Sequence, residues 1–283
     1  MEYFHRLKKQ VLTQTLPGRY KERLSYKSLF FYCFLGTVNL ILGIILSNTY
    51  SQITEIEIPY NNNESQKFSF FVPKNISGTV LFYIKIEDFY QNHLFYAKSL
   101  NYNQLEGKNT SKISSCSPLE RTDGTIIYPC GLIANTFLQD GYKLFKNNEE
   151  IPISTQDISW SSEKRKVGKT QYNLNQIVAP PLWTPYEEVP NLSVNYRFIN
   201  WMNIASFSSF KKLYGKIDGL EKGEYEIIID STFPFGKKSV FISEPSWAGS
   251  KNFFISTLFM VTGSFIITIS FLLIVRKFVR IIF

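Results

Sequence analysis

The sequence predicts a membrane protein in which two transmembrane α-helices flank a β-rich (α+β) luminal or extracellular ectodomain with an antiparallel sheet. Three observations carry that class. Two uncharged apolar runs lie toward the two ends of the 283 residues, the excess positive charge sits outside them, and the polar, aromatic segment between them reads as short strands broken by turns.

Residues 29–46 run Leu-Phe-Phe-Tyr-Cys-Phe-Leu-Gly-Thr-Val-Asn-Leu-Ile-Leu-Gly-Ile-Ile-Leu, and residues 253–275 are equally free of charge. A helix needs about 20 such residues to cross the hydrocarbon. The expected division is a cytoplasmic tail at 1–28, a span at 29–48, a glycosylated ectodomain at 49–252, a span at 253–275 and a cytoplasmic tail at 276–283. A cleaved leader does not fit the first run, which is too long, begins late and lacks a small-x-small cleavage site.

Charge sets the orientation. Residues 1–28 hold Arg6, Lys8, Lys9, Arg19, Lys21, Arg23 and Lys27 against Glu2 and Glu22, and the last residues hold Arg276, Lys277 and Arg280. Those groups account for the whole formal charge of +8. Lys and Arg stay cytoplasmic, so both ends are expected inside. The neutral middle lacks the basic patch that nucleic-acid binding requires. Tyr32, Tyr50 and Trp247 fall near the expected interfaces, where amphipathic rings settle.

Neither span holds Asp, Glu, Lys, Arg or His, which excludes an unaided ion pump or proton relay. Thr37 and Asn39 in the first span, and Thr262, Ser264, Thr268 and Ser270 in the second, accompany Gly36, Gly43 and Gly263. Small and polar residues of this kind permit close helix packing. The expectation is a seam against a partner's helices, with Asn39 as a contact.

Four Asn-x-Ser/Thr sequons begin at Asn63, Asn75, Asn109 and Asn191, all within the ectodomain. Strands are expected at 68–72, 79–86, 223–229 and 238–242, the last two joined as a hairpin through Phe233-Pro234-Phe235-Gly236. Residues 198–213 have roughly helical apolar spacing, with Lys211 and Lys212 at the C-terminal end. The basic, proline-rich stretch 157–190 is expected to be a long surface loop.

Cys116 and Cys130 stand fourteen positions apart around the polar turn Thr122-Asp123-Gly124. A clamp, half of a metal site and a nucleophile pair are the possible readings. His93 is the single histidine of the ectodomain and no Cys-x-x-Cys occurs, so the ligand set for zinc is missing. Two cysteines in an oxidising compartment point to a disulfide, worth roughly 3 kcal/mol for so short a loop. Cys33 reads as an apolar filler of the first span. No cofactor motif is present, and adjacent Glu87 and Asp88 would face opposite ways on a strand.

Several stretches carry a resemblance: Asp88-Phe-Tyr-Gln-Asn-His-Leu-Phe-Tyr-Ala-Lys-Ser99, Tyr128-Pro-Cys-Gly-Leu-Ile-Ala-Asn135, Trp201-Met202 through Phe210-Lys-Lys-Leu-Tyr214, and Gly223-Glu-Tyr225. Gly236-Lys-Lys238 and Trp247-Ala-Gly-Ser-Lys-Asn252 complete the set, with a weaker echo in Lys9-Gln10 and Leu16-Pro17. Their order and the two-span layout resemble the ligand-effect-modulator (cell-division-cycle-fifty) family, β-subunits of type-four P-type ATPases that flip phospholipids.

The resemblance, which runs from Glu55 to Val275, implies a non-catalytic subunit. Such a subunit pairs with the ATPase chain as a heterodimer, supports its exit from the endoplasmic reticulum and assists aminophospholipid flipping. It implies partner contacts at Phe89, Tyr90, His93 and Trp201. The chain departs from the family pattern in three ways: residues 49–88 lack cysteine, Leu94-Phe95 replaces the usual basic pair, and Gly249-Ser250-Lys251-Asn252 replaces Gly-Gly-Lys-Asn. Alternatives from other classes are a stand-alone glycosylated receptor or adhesion ectodomain and a luminal enzyme.

Overall fold

A computed structural model describes residues 2–15, 25–62 and 64–282. Part of the basic tail, with Leu16, Pro17, Arg19, Lys21 and Arg23, lies outside the described residues, as does the sequon residue Asn63. The chain forms a helical unit, Met1–Tyr50 with Asn252–Phe283, and a sheet unit, Ser51–Lys251.

The helical unit holds α1 (Glu2–Leu12), α2 (Tyr26–Gln52) and α8 (Phe253–Ile282). Both α2 and α8 are long and apolar enough to cross a membrane and outrun the predicted spans by several residues. On α2, Leu29, Gly36, Gly43 and Tyr50 are buried at seven-residue intervals, and on α8 so are Ser256, Gly263 and Ser270. A seven-residue repeat keeps one stripe of each helix facing the other. The fit is tight: a Cβ at Gly263 would lie 2.7 Å from Gly36 O, and one at Gly43 would lie 2.9 Å from Ser256 O. The pairing is antiparallel, because Gly36 meets Gly263 whereas Gly43 meets Ser256 and Met260. This corrects the expectation that the glycines line a seam for a partner; the chain's own two helices use them. The spans' other polar groups are satisfied locally: Thr37 Oγ1 donates to Cys33 O at 2.9 Å and Asn39 Nδ2 to Leu35 O at 2.8 Å.

The sheet unit runs β1 (Glu55–Tyr60), β2 (Ser65–Val72), β3 (Ile76–Glu87), α3 (Leu94–Lys98), α4 (Tyr102–Leu105), β4 (Arg121–Thr122), β5 (Thr125–Ile127) and α5 (Leu132–Asn135). It continues with β6 (Gly141–Lys146), β7 (Glu149–Ile151), α6 (Ser161–Lys164), β8 (Ile177–Val178), α7 (Tyr196–Met202), β9 (Phe210–Leu220), β10 (Gly223–Asp230) and β11 (Lys237–Ser243). Two four-stranded antiparallel sheets, β1-β11-β3-β9 and β2-β10-β6-β7, share one core, and a small sheet β4-β5-β8 stands apart. Alternation places Val80, Phe82, Ile84 and Ile86 of β3 opposite Tyr225, Ile227 and Ile229 of β10, all buried. Phe82 meets Tyr142 edge-on across the sheets, with ring centroids 5.4 Å apart.

Three expectations need correction here. The segment 198–213 is not one helix: α7 ends at Met202, and β9 begins at Phe210. Residues 203–209 include Asn203, Ser206, Ser208 and Ser209, which compete for backbone hydrogen bonds. Their backbone is held from elsewhere, with Ala205 N–H donating to Gln91 Oε1 and Asn92 Nδ2 donating to Ser206 O. Lys211 and Lys212 therefore lie on a strand. Next, β10 and β11 are not a hairpin, because residues 231–236 carry the chain from one sheet to the other. Finally, 157–190 is no mere surface loop. It buries Val167, Tyr172 and Ile177, pairs β8 in parallel with β5, and sends Trp183 Nε1 to Ala134 O at 2.9 Å and Tyr186 Oη to Tyr128 O at 2.6 Å.

Candidate partner-binding surfaces

The motif Phe89-Tyr90-Gln91-Asn92-His93 leaves β3 through Asp88, which takes a left-handed φ of 60°. Phe89 turns inward, stacked on Phe235 (5.8 Å) and edge-on to Phe233 (5.6 Å) and Tyr96 (5.8 Å). Trp201 completes this cluster, 6.3 Å from Phe89; it is buried, and its Nε1 donates to Ile133 O at 2.9 Å. Gln91 is fully buried. Tyr90 instead is 62% exposed, and His93, Leu94 and Phe95 follow it at the surface. An open cleft beside them is lined by His93, Leu94, Phe95, Lys98, Ser99, Ser115 and Ser117. The motif thus divides into an inner set (Phe89, Gln91) that fixes the loop and an outer set (Tyr90, His93, Leu94, Phe95) that it displays. Sequence reasoning grouped Phe89, Tyr90, His93 and Trp201 together; the structure separates the inward-packed rings of half-buried Phe89 and buried Trp201 from the exposed Tyr90 and His93.

The cysteines join as a disulfide, with Cα atoms 5.6 Å apart, over a small core of Ile113, Ile127, Leu119 and Val178. Within the loop they close, Asp123 and Gly124 both take left-handed φ (49° and 81°), the geometry of a two-residue hairpin turn between β4 and β5. Gln104, missed by sequence reasoning, holds the loop from beneath. Its Nε2 donates to Ile127 O (3.0 Å), and its Oε1 accepts from Cys130 N–H (2.8 Å). Gly131 follows at φ 100°, where a Cβ would sit 2.1 Å from Ser99 O. That close approach ties the disulfide loop to the segment preceding α4.

A second constellation was also missed. Asp140 and Lys238 form an ion pair at 2.7 Å with both side chains wholly buried. Lys238 Nζ also donates to Ser231 Oγ (2.5 Å) and Phe233 O (2.7 Å), so all three ammonium protons have acceptors. Asp140 Oδ1 accepts the N–H groups of Thr232 (2.7 Å) and Phe233 (2.8 Å), while Oδ2 accepts from Tyr60 Oη at 3.0 Å. Tyr60 and Tyr142 share a 2.5 Å hydroxyl contact. Burial raises both phenols well above their ordinary range; burial also lowers the Lys238 ammonium, and Asp140 opposes that shift. The set pins the 231–233 crossover between the sheets. A signal was available, since Lys238 falls in alternation with Val240 and Ile242 on the inward face of β11.

Lys212 contrasts with it. Its ammonium faces the carbonyls of Asn203 and Asn200 and the rings of Trp201 and Phe210, with no carboxylate beside it, and burial pushes it down to about 8. Among the described residues, no group of three or more His, Cys, Asp and Glu side chains is arranged to hold a metal ion.

Sequons Asn75, Asn109 and Asn191 are all exposed. Asn75 Oδ1 accepts from Lys222 N–H at 2.6 Å, and Asn191 Oδ1 accepts the hydroxyl of its own sequon's Ser193 at 2.7 Å.

The LEM3 (ligand-effect modulator 3) family / CDC50 family model matches residues 45–281, which include the sheet unit and all of α8 but its last residue. The chain belongs to the LEM3/CDC50 family. Relatives include the phospholipid-transporting ATPase accessory subunit CDC50 of Chaetomium thermophilum, 32% identical over 80% of this chain and 64% of that protein. Cell cycle control protein 50C of Bos taurus is 30% identical over 92% of this chain and 90% of its own length. ALA-interacting subunit 3 of Arabidopsis thaliana is 34% identical over 71% and 60%. The chain thus spans slightly under two thirds of the fungal and plant relatives and nine tenths of the bovine one. In this LEM3/CDC50 member, the family match covers the sheet unit, nearly all of α8 and the C-terminal end of α2.

Proposed function

We propose that this chain is the non-catalytic β-subunit of a type-four P-type ATPase, paired with it as a heterodimer that moves phospholipids between leaflets. The observation that carries the reading is the family match across the sheet unit and α8 and into α2, together with relatives described as accessory subunits of phospholipid-transporting ATPases. The chain's part is to support folding of the ATPase, its exit from the endoplasmic reticulum and aminophospholipid flipping; ATP chemistry belongs to the partner.

In this reading residues 1–28 and 276–283 are cytoplasmic, 49–252 are luminal or extracellular, and the complex travels the secretory route. Tyr90 and His93 touch the partner, backed by Phe89 and Trp201, and Asn39 faces the partner's helices within the membrane. Asn75, Asn109 and Asn191 carry glycans, as does Asn63. Tagged chain solubilised in mild detergent is expected to bring down a P-type ATPase; recovery without one sinks the proposal. Protease digestion of sealed vesicles, with and without permeabilisation, reads the orientation separately.

A further inference from the structure

Helix α1 (Glu2–Leu12) plays no part in the reading above. Its C-terminus is locally closed: Thr15 N–H donates to Gln10 O (3.0 Å), Gln14 N–H donates to Val11 O (3.2 Å), and Gln14 takes a left-handed φ of 51°. This is the Schellman arrangement, which satisfies the last carbonyls of a helix. The helix has its own reason to stop ahead of the basic stretch that follows.

At about 100° per residue, positions 3, 4, 7 and 11 fall within one arc of about 100°. The sequence fills them with Tyr, Phe, Leu and Val, and fills positions 2, 5, 6 and 9 on the other side with Glu, His, Arg and Lys, with Gln10 at the edge of the arc. Lys8 lies on the border between the two sides. On this arc Phe4 is 80% exposed and Val11 56%. An isolated helix this short is marginal in water, so an exposed apolar face of this kind calls for an occupant.

Charge and reach identify that occupant. Arg6, Lys8 and Lys9 in the helix, with Arg19, Lys21, Arg23 and Lys27 beyond it, form a basic segment next to a span. Lys277 Nζ sits 4.2 Å over the ring of Tyr26, so a further cation stands beside the start of α2. Residues 13–25 separate α1 from α2 and reach at most about 45 Å when extended. Because the span holds one end of this tether in the bilayer, the helix always works at high local concentration of that surface. Aromatic and aliphatic residues on one face with Lys and Arg on the other are the pattern of helices that lie in the headgroup region. Basic residues near a span are attracted to anionic lipid.

We infer that α1 docks on the anionic leaflet beside its own span, with its apolar arc in the acyl boundary and its lysines among lipid phosphates and carboxylates. The cytoplasmic placement of that leaflet rests on the orientation proposed above; the helix–lipid contact itself does not.

The test uses the full chain in nanodiscs of phosphatidylcholine alone and of phosphatidylcholine with phosphatidylserine. Both faces of a disc are open, so the outcome does not depend on orientation in the cell, and a failed copurification leaves it unaffected. Amide exchange over residues 2–12 should slow at least ~10-fold in the anionic discs only, and high salt should reverse the slowing. The Lys8→Gln/Lys9→Gln chain and the Phe4→Ser/Val11→Ser chain should each lose the effect while exchange in the sheet unit stays unchanged. Equal exchange in the two discs, salt-insensitive protection, or protection that appears only when an ATPase subunit is added would overturn the inference.

Discussion

Two clamps hold the sheet unit, and they work at different ranges. The Cys116–Cys130 bridge joins residues fourteen positions apart and shapes one loop over a small core of its own. The Asp140–Lys238 pair joins residues 98 positions apart and fixes the crossover between the two large sheets. A covalent bond needs no environment to persist. An ion pair with no exposed surface persists only because every donor and acceptor around it is matched, since a buried charge that loses its partner is left uncompensated. The longer-range clamp is therefore the more fragile to substitution, although it is the weaker bond.

That contrast orders the expected effects. Asp140→Asn keeps the shape and strands the Lys238 charge, so it should cost about 3–5 kcal/mol. Pairing it with Lys238→Met should recover much of the loss. Denaturant melts of the detergent-solubilised chain measure both, and a double variant no better than Asp140→Asn alone would show that shape rather than charge is at stake. Cys116→Ser should cost about 3 kcal/mol and leave the chain in the endoplasmic reticulum, read by glycan trimming. Normal export of that variant with an ATPase would mean the bridge is dispensable.

Lys212 tests the same rule without a carboxylate. Its ordinary value is 10.5 and burial lowers it to about 8. Between those limits the unfolded chain holds a proton that the folded chain has released, so its contribution to stability rises with pH across that window. Below about 8 the full cost is present. Lys212→Met should therefore stabilise the fold by about 1–3 kcal/mol at pH 7, less whatever the carbonyls of Asn200 and Asn203 lose, and the gain should fade toward pH 10.5. A gain independent of pH would rule out the burial of charge as its cause. The smallest change in stability is expected for Tyr90→Ala, within about 0.5 kcal/mol for an exposed ring, yet recovery of the ATPase should fall several-fold. Unchanged recovery removes Tyr90 from the interface.

What the residues disclosed in advance follows from range. The spans, the strands of β3, β10 and β11 and the turn at Asp123-Gly124 depend on local pattern and could be read directly. The disulfide followed because only two cysteines lie between the two apolar runs. The hairpin at Asn147-Asn148, both with positive φ, left a signal in its turn residues that went unused. By contrast, the break between Met202 and Phe210 depends on Gln91 and Asn92, more than a hundred residues away. Apolar spacing alone extended that helix too far. The glycines of the spans disclosed close packing but not against what, since one helix's stripe says nothing of its mate until Ser256, Gly263 and Ser270 are seen at the same interval. In the candidate site, composition marked Phe89 and Tyr90 alike, and only the path of the chain after Asp88 distinguishes the ring that packs from the ring that is displayed.

The pairing of β1 with β11 has one more consequence. Glu55 lies opposite Ser243, so the sheet unit begins and ends at neighbouring strands of one sheet, with few residues outside that ladder at either end. Everything from β2 to β10 is thus a single excursion that returns to its point of departure. Topologically the domain is an insertion between two helices, and its strand order would survive if its ends were joined to each other and the chain opened at an exposed turn.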